Sequence, residues 1–434
     1  VRKPLVAALA VVILVAFAAL AVDKSMRRGD IGVFFGAGRA VIENRDPYAG
    51  GCVGVGFIYP PYFAVAMVPF AAAPRLLAAA AWFLLNFASL VLLFATALYL
   101  LERPAERLGP WLGGRLRRLA AGKLNGAVVA TVALTAPLAL DNIAFGTINL
   151  PVCALSLAGI YFALTARAAL GGASLGAAVT PKFFAAPLWL YLLYRKKYAA
   201  AGWAVATVAA LFVAPAAILG WGRNAALAAS WYDTVIRPAR GLAFVYGGAY
   251  NVSLTAAVYR LFRAWGVDDL DLIYRPFWNL NTLNWVFAAA LFSPLAHFFL
   301  ARRRRGGGAA GEEGVADALA LSLFLVASLL LVPFVWANYY VAAVLPVMAV
   351  LYAFRGEVWG PARVASVALV VLFAVVFGVF TSTDLWGKGK EAFYHYGLVT
   401  AGGVSLYAAV VVALLAATRR KPGPAGPTSP PPGT

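Results

Sequence analysis

The chain has 434 residues, of which 63% are hydrophobic and 12% charged, with a formal net charge of +19. Soluble domains are about 25% charged, so this composition excludes a soluble globular protein and points to a polytopic membrane protein. In so apolar a chain the basic excess reflects loops facing anionic lipid, and no nucleic-acid partner is expected.

Apolar runs occupy 4–22, 76–101, 124–140, 144–164, 171–194, 199–219, 282–301, 315–335, 339–354, 361–380 and 397–418. At these lengths only helices satisfy their own backbone in lipid, so the fold class is all-α. The first run follows Arg2-Lys3 and passes Ala19-Leu20-Ala21, in the manner of a secretory signal. It is longer than the usual apolar core of a signal, about 7–15 residues, and suits a span of about 20. We read it as a retained first helix.

Arg2-Lys3, the segment 102–123, Arg195-Lys196-Lys197, Arg302-Arg303-Arg304-Arg305 and Arg419-Arg420-Lys421 are the basic clusters. Placing all five on the cytoplasmic side leaves room for two spans before 102–123. The piece 59–73, opening at Tyr59-Pro60-Pro61, then becomes a juxtamembrane helix on the outer side. The run 171–194 meets the same constraint, and Pro181-Lys182 falls at its middle. Two half-helices meeting near Lys182, as in the discontinuous helices of transporters, resolve it. The count is about ten full spans and one broken pair, a bundle of about 10–12 membrane helices with both termini cytoplasmic. Segments 23–58 and 220–281 face outward, the second rich in tryptophan and tyrosine. Residues 1–421 form a single integral membrane domain, and the proline-rich tail 422–434 is expected to be disordered.

The only cysteines are Cys52 and Cys153 and the only histidines His297 and His395, with no CxxC and no HExxH. Neither a disulfide nor a metal site is expected, and no cofactor is implied. The glycine-rich pieces Gly50-Gly51 and Gly306-Gly307-Gly308 join no strand to a helix, so no nucleotide-binding loop is present. A donor substrate would have to be presented by the membrane itself.

Ionisable groups near the bilayer are costly and therefore candidates for function. Asp30 has two readings: a general base for an acceptor hydroxyl, or the N-cap of a helix over 31–42. Asp46-Pro47-Tyr48 reads as a turn. Asp141-Asn142 reads as a cap on a short connection between two spans. Lys182, between Pro181 and Phe183-Phe184, reads either as a point-charge partner for phosphate or as a snorkelling lysine. Trp336-Ala337-Asn338-Tyr339-Tyr340 stands at a helix junction, and His395 lies in the last outer loop.

Several motifs run in a recognisable order. They are Gly29-Asp30-Ile31-Gly32-Val33-Phe34-Phe35, Asn44-Arg45-Asp46-Pro47-Tyr48, Tyr59-Pro60-Pro61, Pro69 to Pro74, Phe145-Gly146-Thr147-Ile148-Asn149, Gly176 to Lys182, Asn251-Val252-Ser253-Leu254 and Trp336 to Pro346. The set resembles glycosyltransferase family 87, the polyprenyl-phosphomannose-dependent mannosyltransferases of the GT-C fold. The resemblance implies a GT-C-type bundle that moves a sugar, mannose first, from a polyprenyl-phospho-sugar donor to a lipid or glycan acceptor hydroxyl. Transfer would invert the anomeric centre and take place on the periplasmic or exterior face of the cell membrane. Asp30 matches the family's loop aspartate, taken as the base, and Lys182 a recurrent lysine. Asn149, Asn251, Asn338, Tyr339, Arg237 and Arg240 are the further expected contacts to donor phosphate or substrate, with Arg223 as another phosphate candidate.

Two positions depart from the pattern. Thr147 replaces the usual glutamine, and Tyr339 or Tyr340 stands where relatives often carry histidine. An arabinofuranosyl or glucosyl donor is compatible with that change. The rival reading is a transporter or lipid flippase, which would suit a broken helix and a lysine at membrane depth. Such proteins usually show repeated halves, and the sequence has none.

Overall fold

The computed structural model describes residues 19–24, 29–49, 56–102, 110, 112–115, 117, 125–237, 247–267, 280–304, 310–355 and 360–419. Most of the first apolar run, the proline-rich tail, Cys52 and Arg240 lie outside the described residues. Among the described residues the regular structure is entirely helical.

A short helix α1 (Ile31–Ile42) is followed by α2 (Pro61–Ala66) and α3 (Val68–Ala72), then by the long α4 (Arg75–Glu102) and α5 (Gly126–Phe145). Next come α6 (Asn149–Leu164), α7 (Ala168–Val179), α8 (Leu188–Tyr194), α9 (Tyr198–Val213), α10 (Trp221–Trp231) and α11 (Leu254–Ala264). The bundle closes with α12 (Leu280–Arg304), α13 (Ala310–Leu331), α14 (Val344–Ala353), α15 (Pro361–Val375) and α16 (Leu398–Arg419). Seven helices among the described residues are long and apolar enough to cross a membrane: α4, α5, α9 continued to Leu219, α12, α13, α15 continued to Phe380, and α16. The protein is thus an all-α polytopic membrane protein.

Burial sorts these helices into core and periphery. The apolar window of α13 is 83% buried, against 17% for α9 and for α12. A helix that is apolar all round and buried all round belongs at the centre of a bundle, and one that is apolar yet exposed faces lipid. α13 packs on α14 and α16, and Val344, Leu345, Val347, Met348 and Val350 of α14 are fully buried there.

The remaining apolar runs are realised as shorter pieces. The run 59–73 becomes α2 and α3, broken at Met67. The run 171–194 becomes α7 and α8 around Thr180, Pro181 and Lys182, with a 3-10 turn at Phe183–Ala185. The run 144–164 yields a helix of only 16 residues, rising about 24 Å against a hydrocarbon core of roughly 30 Å. Its start is set by Gly146, which ends α5 in the left-handed region (φ 62°) and turns the chain back at once.

α7 is held between α6 and α9 by small residues. A side chain at Gly172 would come within 2.3 Å of the Ala200 carbonyl, and one at Gly176 within 2.6 Å of the Ala204 carbonyl. This close backbone approach is the use of a Gly-xxx-Gly spacing in membrane helices, and it fixes the height at which the chain breaks before Lys182. At the opposite end of the bundle, Asn125 donates to Tyr352 (2.7 Å) and Tyr352 donates to Glu102 (3.0 Å). Arg195, at the end of α8, pairs with the buried Asp317 (2.5 Å).

Candidate active site

A cavity of about 400 Å³ lies where α1, the break between α7 and α8, the start of α6 and the segment 332–339 converge. Its wall is mostly apolar (Val33, Phe34, Ile58, Phe183, Phe184, Val235, Ile236, Val332 and Phe334 among others). Few polar groups interrupt it: Asp30, Asn149, Thr180, Lys182, Asn338 and Tyr339, with Tyr59 and the indoles Trp231 and Trp336. Sparse, convergent polar groups in an apolar cleft are the pattern of a small-molecule site.

Asp30 occupies the N-cap position of α1, but its carboxylate caps nothing. The residue already has helical dihedrals (φ −65°, ψ −18°), whereas a capping residue is normally extended. The cap reading therefore gives way to a carboxylate left to the cavity. Its backbone is anchored instead: the Asp30 N–H donates to the Phe145 carbonyl at 2.9 Å. The adjacent Gly146 carbonyl accepts from the Trp82 indole at 2.7 Å. One turn further along α1, Phe34 meets Tyr59, Phe63 and Trp82 edge-on at 5.2–5.5 Å between ring centres. This aromatic knot locks α1 against α2 and α4. Burial pushes the Asp30 carboxyl above its ordinary range, and the Lys182 charge opposes that rise in part.

Lys182 is 9% exposed. Its ammonium donates to the Tyr339 hydroxyl, lies 3.9 Å from the centre of the Tyr339 ring and 5.3 Å from that of Tyr59. The snorkelling reading fails here, because the charge turns inward to the cavity rather than out to the interface. Tyr59 is held in turn by Tyr48, whose hydroxyl donates to the Tyr59 carbonyl at 2.7 Å.

Asn149 and Asn338 are joined behind the wall by Asn142. The Asn142 amide nitrogen donates to the Leu138 and Asn338 carbonyls, both at 2.8 Å. Its oxygen accepts from Thr147 (2.6 Å) and from the Asn149 amide (2.9 Å). The sequence reads Asp141-Asn142 as a cap on a short connection. In fact α5 runs on to Phe145, so Asp141 lies within the helix and Asn142 is fully buried. The sequence signal for this role was available in the helical spacing of Leu138, Asn142 and Phe145.

Other expected contacts lie elsewhere. Asn251 does not line the cavity. Its amide donates to the Pro333 carbonyl (2.6 Å) and accepts from the Ser253 and Val335 N–H groups (3.1 and 3.2 Å). A side chain so fully engaged with backbone holds the wall rather than a substrate. Arg237 is exposed and pairs with Asp233 at 2.9 Å, one residue beyond the lining Ile236. Arg223 donates to the Val41 carbonyl (3.1 Å) at the end of α1. Asp46 forms the expected turn, accepting from the Tyr48 N–H (2.9 Å), and takes a second bond from Ser230 (2.6 Å). With Trp231 donating to the Ile58 carbonyl at 3.1 Å, it ties α10 over the cavity. Tyr340, the other candidate for the histidine position, is buried against Phe373 and Phe377, away from Lys182. His395 is exposed on a separate short helix. Among the described residues no three His, Cys, Asp or Glu side chains converge as metal ligands.

The model of glycosyltransferase family 87 matches residues 57–333. The matched span holds Asn149 and Lys182, while Asp30, Asn338 and Tyr339 lie outside it. No curated protein and no solved structure matches the chain.

Proposed function

The chain belongs to glycosyltransferase family 87 and is a membrane glycosyltransferase; on that premise we propose that it moves a sugar, mannose in the first instance, from a polyprenyl-phosphate carrier to a hydroxyl of a lipid or glycan acceptor. The observation that carries this reading is one carboxylate, Asp30, and one ammonium, Lys182, lining the same buried cavity.

Lys182 serves as the partner of the donor phosphate. A compact ammonium in an apolar surround is a strong phosphate ligand, and Tyr339 holds it in place without adding a charge of its own. Asp30 serves as the base. It takes the proton of the acceptor hydroxyl while the oxygen attacks the anomeric carbon from the face opposite the phosphate. The bond from that carbon to the phosphate oxygen breaks, its electron pair stays on the polyprenyl phosphate, and the anomeric centre inverts. A carboxyl raised above its ordinary range is a stronger base than a solvated one. The leaving phosphate carries its own charge onto Lys182, so a separate strong acid is not required.

Two further features agree with a lipid-borne donor. Phe183, an aromatic exposed at 54%, stands beside Lys182 on the cavity wall, where an apolar chain could leave toward lipid. The clusters Arg195-Lys196-Lys197 and Arg302-Arg303-Arg304 lie at the end of the bundle opposite Lys182, by helix direction. With the positive-inside rule, this arrangement supports a cavity that faces outward.

The test is transfer by purified protein in membranes, with labelled polyprenyl-phosphomannose and a mixture of lipid and glycan acceptors. Wild type should consume the donor and yield polyprenyl phosphate. Substrate moved across the bilayer without cleavage would favour the transporter reading.

A further inference from the structure

The amide orientation of Asn149 follows from its neighbours without ambiguity. Backbone carbonyls can only accept, so the side of Asn142 that faces the Leu138 and Asn338 carbonyls must be its NH2. Its oxygen therefore faces Thr147 and Asn149, and what Asn149 offers in return must be its own NH2. The Asn149 oxygen is thereby turned away from the network, and it has no partner. Asn149 is 1% exposed and lines the cavity. The side-chain oxygen of Asn338, on the same cavity, is also buried without a partner. A buried acceptor left unsatisfied costs about 1–3 kcal/mol, and two of them on one cavity mark a place where a ligand can supply the missing donors.

The groups that supply the missing donors stand next to the proposed phosphate partner, Lys182. Asn338 precedes Tyr339, which accepts from Lys182, and Asn149 is tied to the backbone of Asn338 through Asn142. Prenyl chains carry no donor. Phosphate diesters at neutral pH carry none either. Sugar hydroxyls do, and the sugar is the group joined directly to the phosphate. We infer that Asn149 and Asn338 form the monosaccharide subsite of the cavity, accepting hydrogen bonds from hydroxyls of the sugar borne by the donor. This rests on the reading of the protein as a polyprenyl-phospho-sugar transferase and names the part of the site that selects the sugar. A site built to bond a hydroxyl rejects an analogue lacking it, so these two residues discriminate among donors while Lys182 binds them all.

The test compares binding of polyprenyl phosphate with binding of three sugar-bearing donors, polyprenyl-phosphomannose, polyprenyl-phosphoglucose and polyprenyl-phosphoarabinofuranose, to protein in lipid nanodiscs. Wild type should bind at least one sugar-bearing donor more tightly than the bare carrier. Asn338→Leu, whose side chain carries no bond of the network, should weaken that donor about tenfold and leave the bare carrier unchanged. Asn149→Ala should act in the same direction, with folding checked by thermal melting because it also loosens Asn142. A wild-type preference that survives in Asn338→Leu overturns the inference alone. So does an equal loss for carrier and donor. A wild type with no preference for any sugar-bearing donor overturns the donor reading and the inference together.

Discussion

The Lys182 ammonium donates to the Tyr339 hydroxyl and lies 3.9 Å from the centre of its ring. The two residues come from segments 157 positions apart, and each stands where a regular helix gives way. Lys182 follows Pro181 at the break between α7 and α8, and Tyr339 sits in the 3-10 turn Ala337–Ala343 that precedes α14. Backbone freed from α-helix at these two points lets a charge and a phenol meet inside an apolar bundle.

Removing either partner should separate binding from positioning. Lys182→Met should raise the KM for a polyprenyl-phospho-sugar about 10–100-fold, from loss of one charge-assisted bond worth about 1.5–3 kcal/mol. Tyr339→Phe keeps the ring under the ammonium and removes only the hydroxyl. Its effect should be several times smaller and should fall on kcat as well, since the lysine is still present but less firmly placed. Steady-state kinetics on reconstituted protein checks both. Equal losses in the two variants would mean that Tyr339 contacts the substrate itself.

Asp30→Asn should lower transfer by about 10²–10⁴-fold, the usual worth of a positioned base, while raising stability at neutral pH. The sign follows from the raised carboxyl. The folded state binds this proton more tightly than the unfolded chain, so stability falls as pH rises from the ordinary carboxylate range, about 4, through the raised folded value. Above that window the native protein carries a buried charge that asparagine lacks. Melting of wild type and variant should diverge at neutral pH and converge in acid. Wild-type transfer should fade as pH drops through the same raised value, because the base must be ionised to act.

Much of this arrangement was legible in the sequence. Parity of the basic clusters required α2 and α3 to be something other than a span and required a break at Pro181-Lys182. Asp30 and Lys182 stood out because ionisable residues are rare in so apolar a chain. What could not be read was which polar side chains turn inward. Asn251 and Asn149 look alike in sequence, yet one spends both amide groups on backbone and the other keeps an oxygen free. That difference is set by partners 82 and 84 residues away in one case and by a helical neighbour, Asn142, in the other. Thr147, in place of a longer glutamine, reaches only as far as Asn142.

Asn251→Ala should destabilise the protein by about 1–3 kcal/mol, the cost of stranding a buried carbonyl and two N–H groups. It should do so without abolishing chemistry, because Asn251 holds Pro333 and Val335 rather than substrate. Loosening that segment shifts the wall formed by Val332, Phe334 and Trp336, so the expected signature is a lower melting temperature and a raised KM with kcat largely kept. A loss confined to kcat, at unchanged melting temperature, would return Asn251 to the substrate-contacting set.

The glycines of α7 make a prediction about the site at a distance. Gly176→Ala places a methyl 2.6 Å from the Ala204 carbonyl and 2.8 Å from Thr207, so α7 and α9 must part. Overpacking of this kind costs about 1–3 kcal/mol. Because Gly176 is one turn before Thr180, whose hydroxyl donates to the Gly176 carbonyl at 2.6 Å, the displacement should reach Lys182. Gly202→Ala is the control: it lies on α9 and meets nothing within 4 Å. Donor KM should rise in the first variant and stay put in the second.

Orientation can be tested at the turn that Asp46 makes. Ala49 is exposed, and its segment is tied to α10 through Asp46 and Ser230, so it shares a side of the membrane with the cavity. Tyr198, 63% exposed at the start of α9, belongs to the opposite end, next to Arg195-Lys196-Lys197. In a Cys52→Ser background, Ala49→Cys should react with a membrane-impermeant maleimide in intact cells, and Tyr198→Cys only after lysis. Cys153 is buried and should stay silent in both. The reverse pattern would put the cavity on the cytoplasmic face. It would also set the positive-inside rule against the basic clusters at the ends of α8 and α12, which would then lie on the outer face.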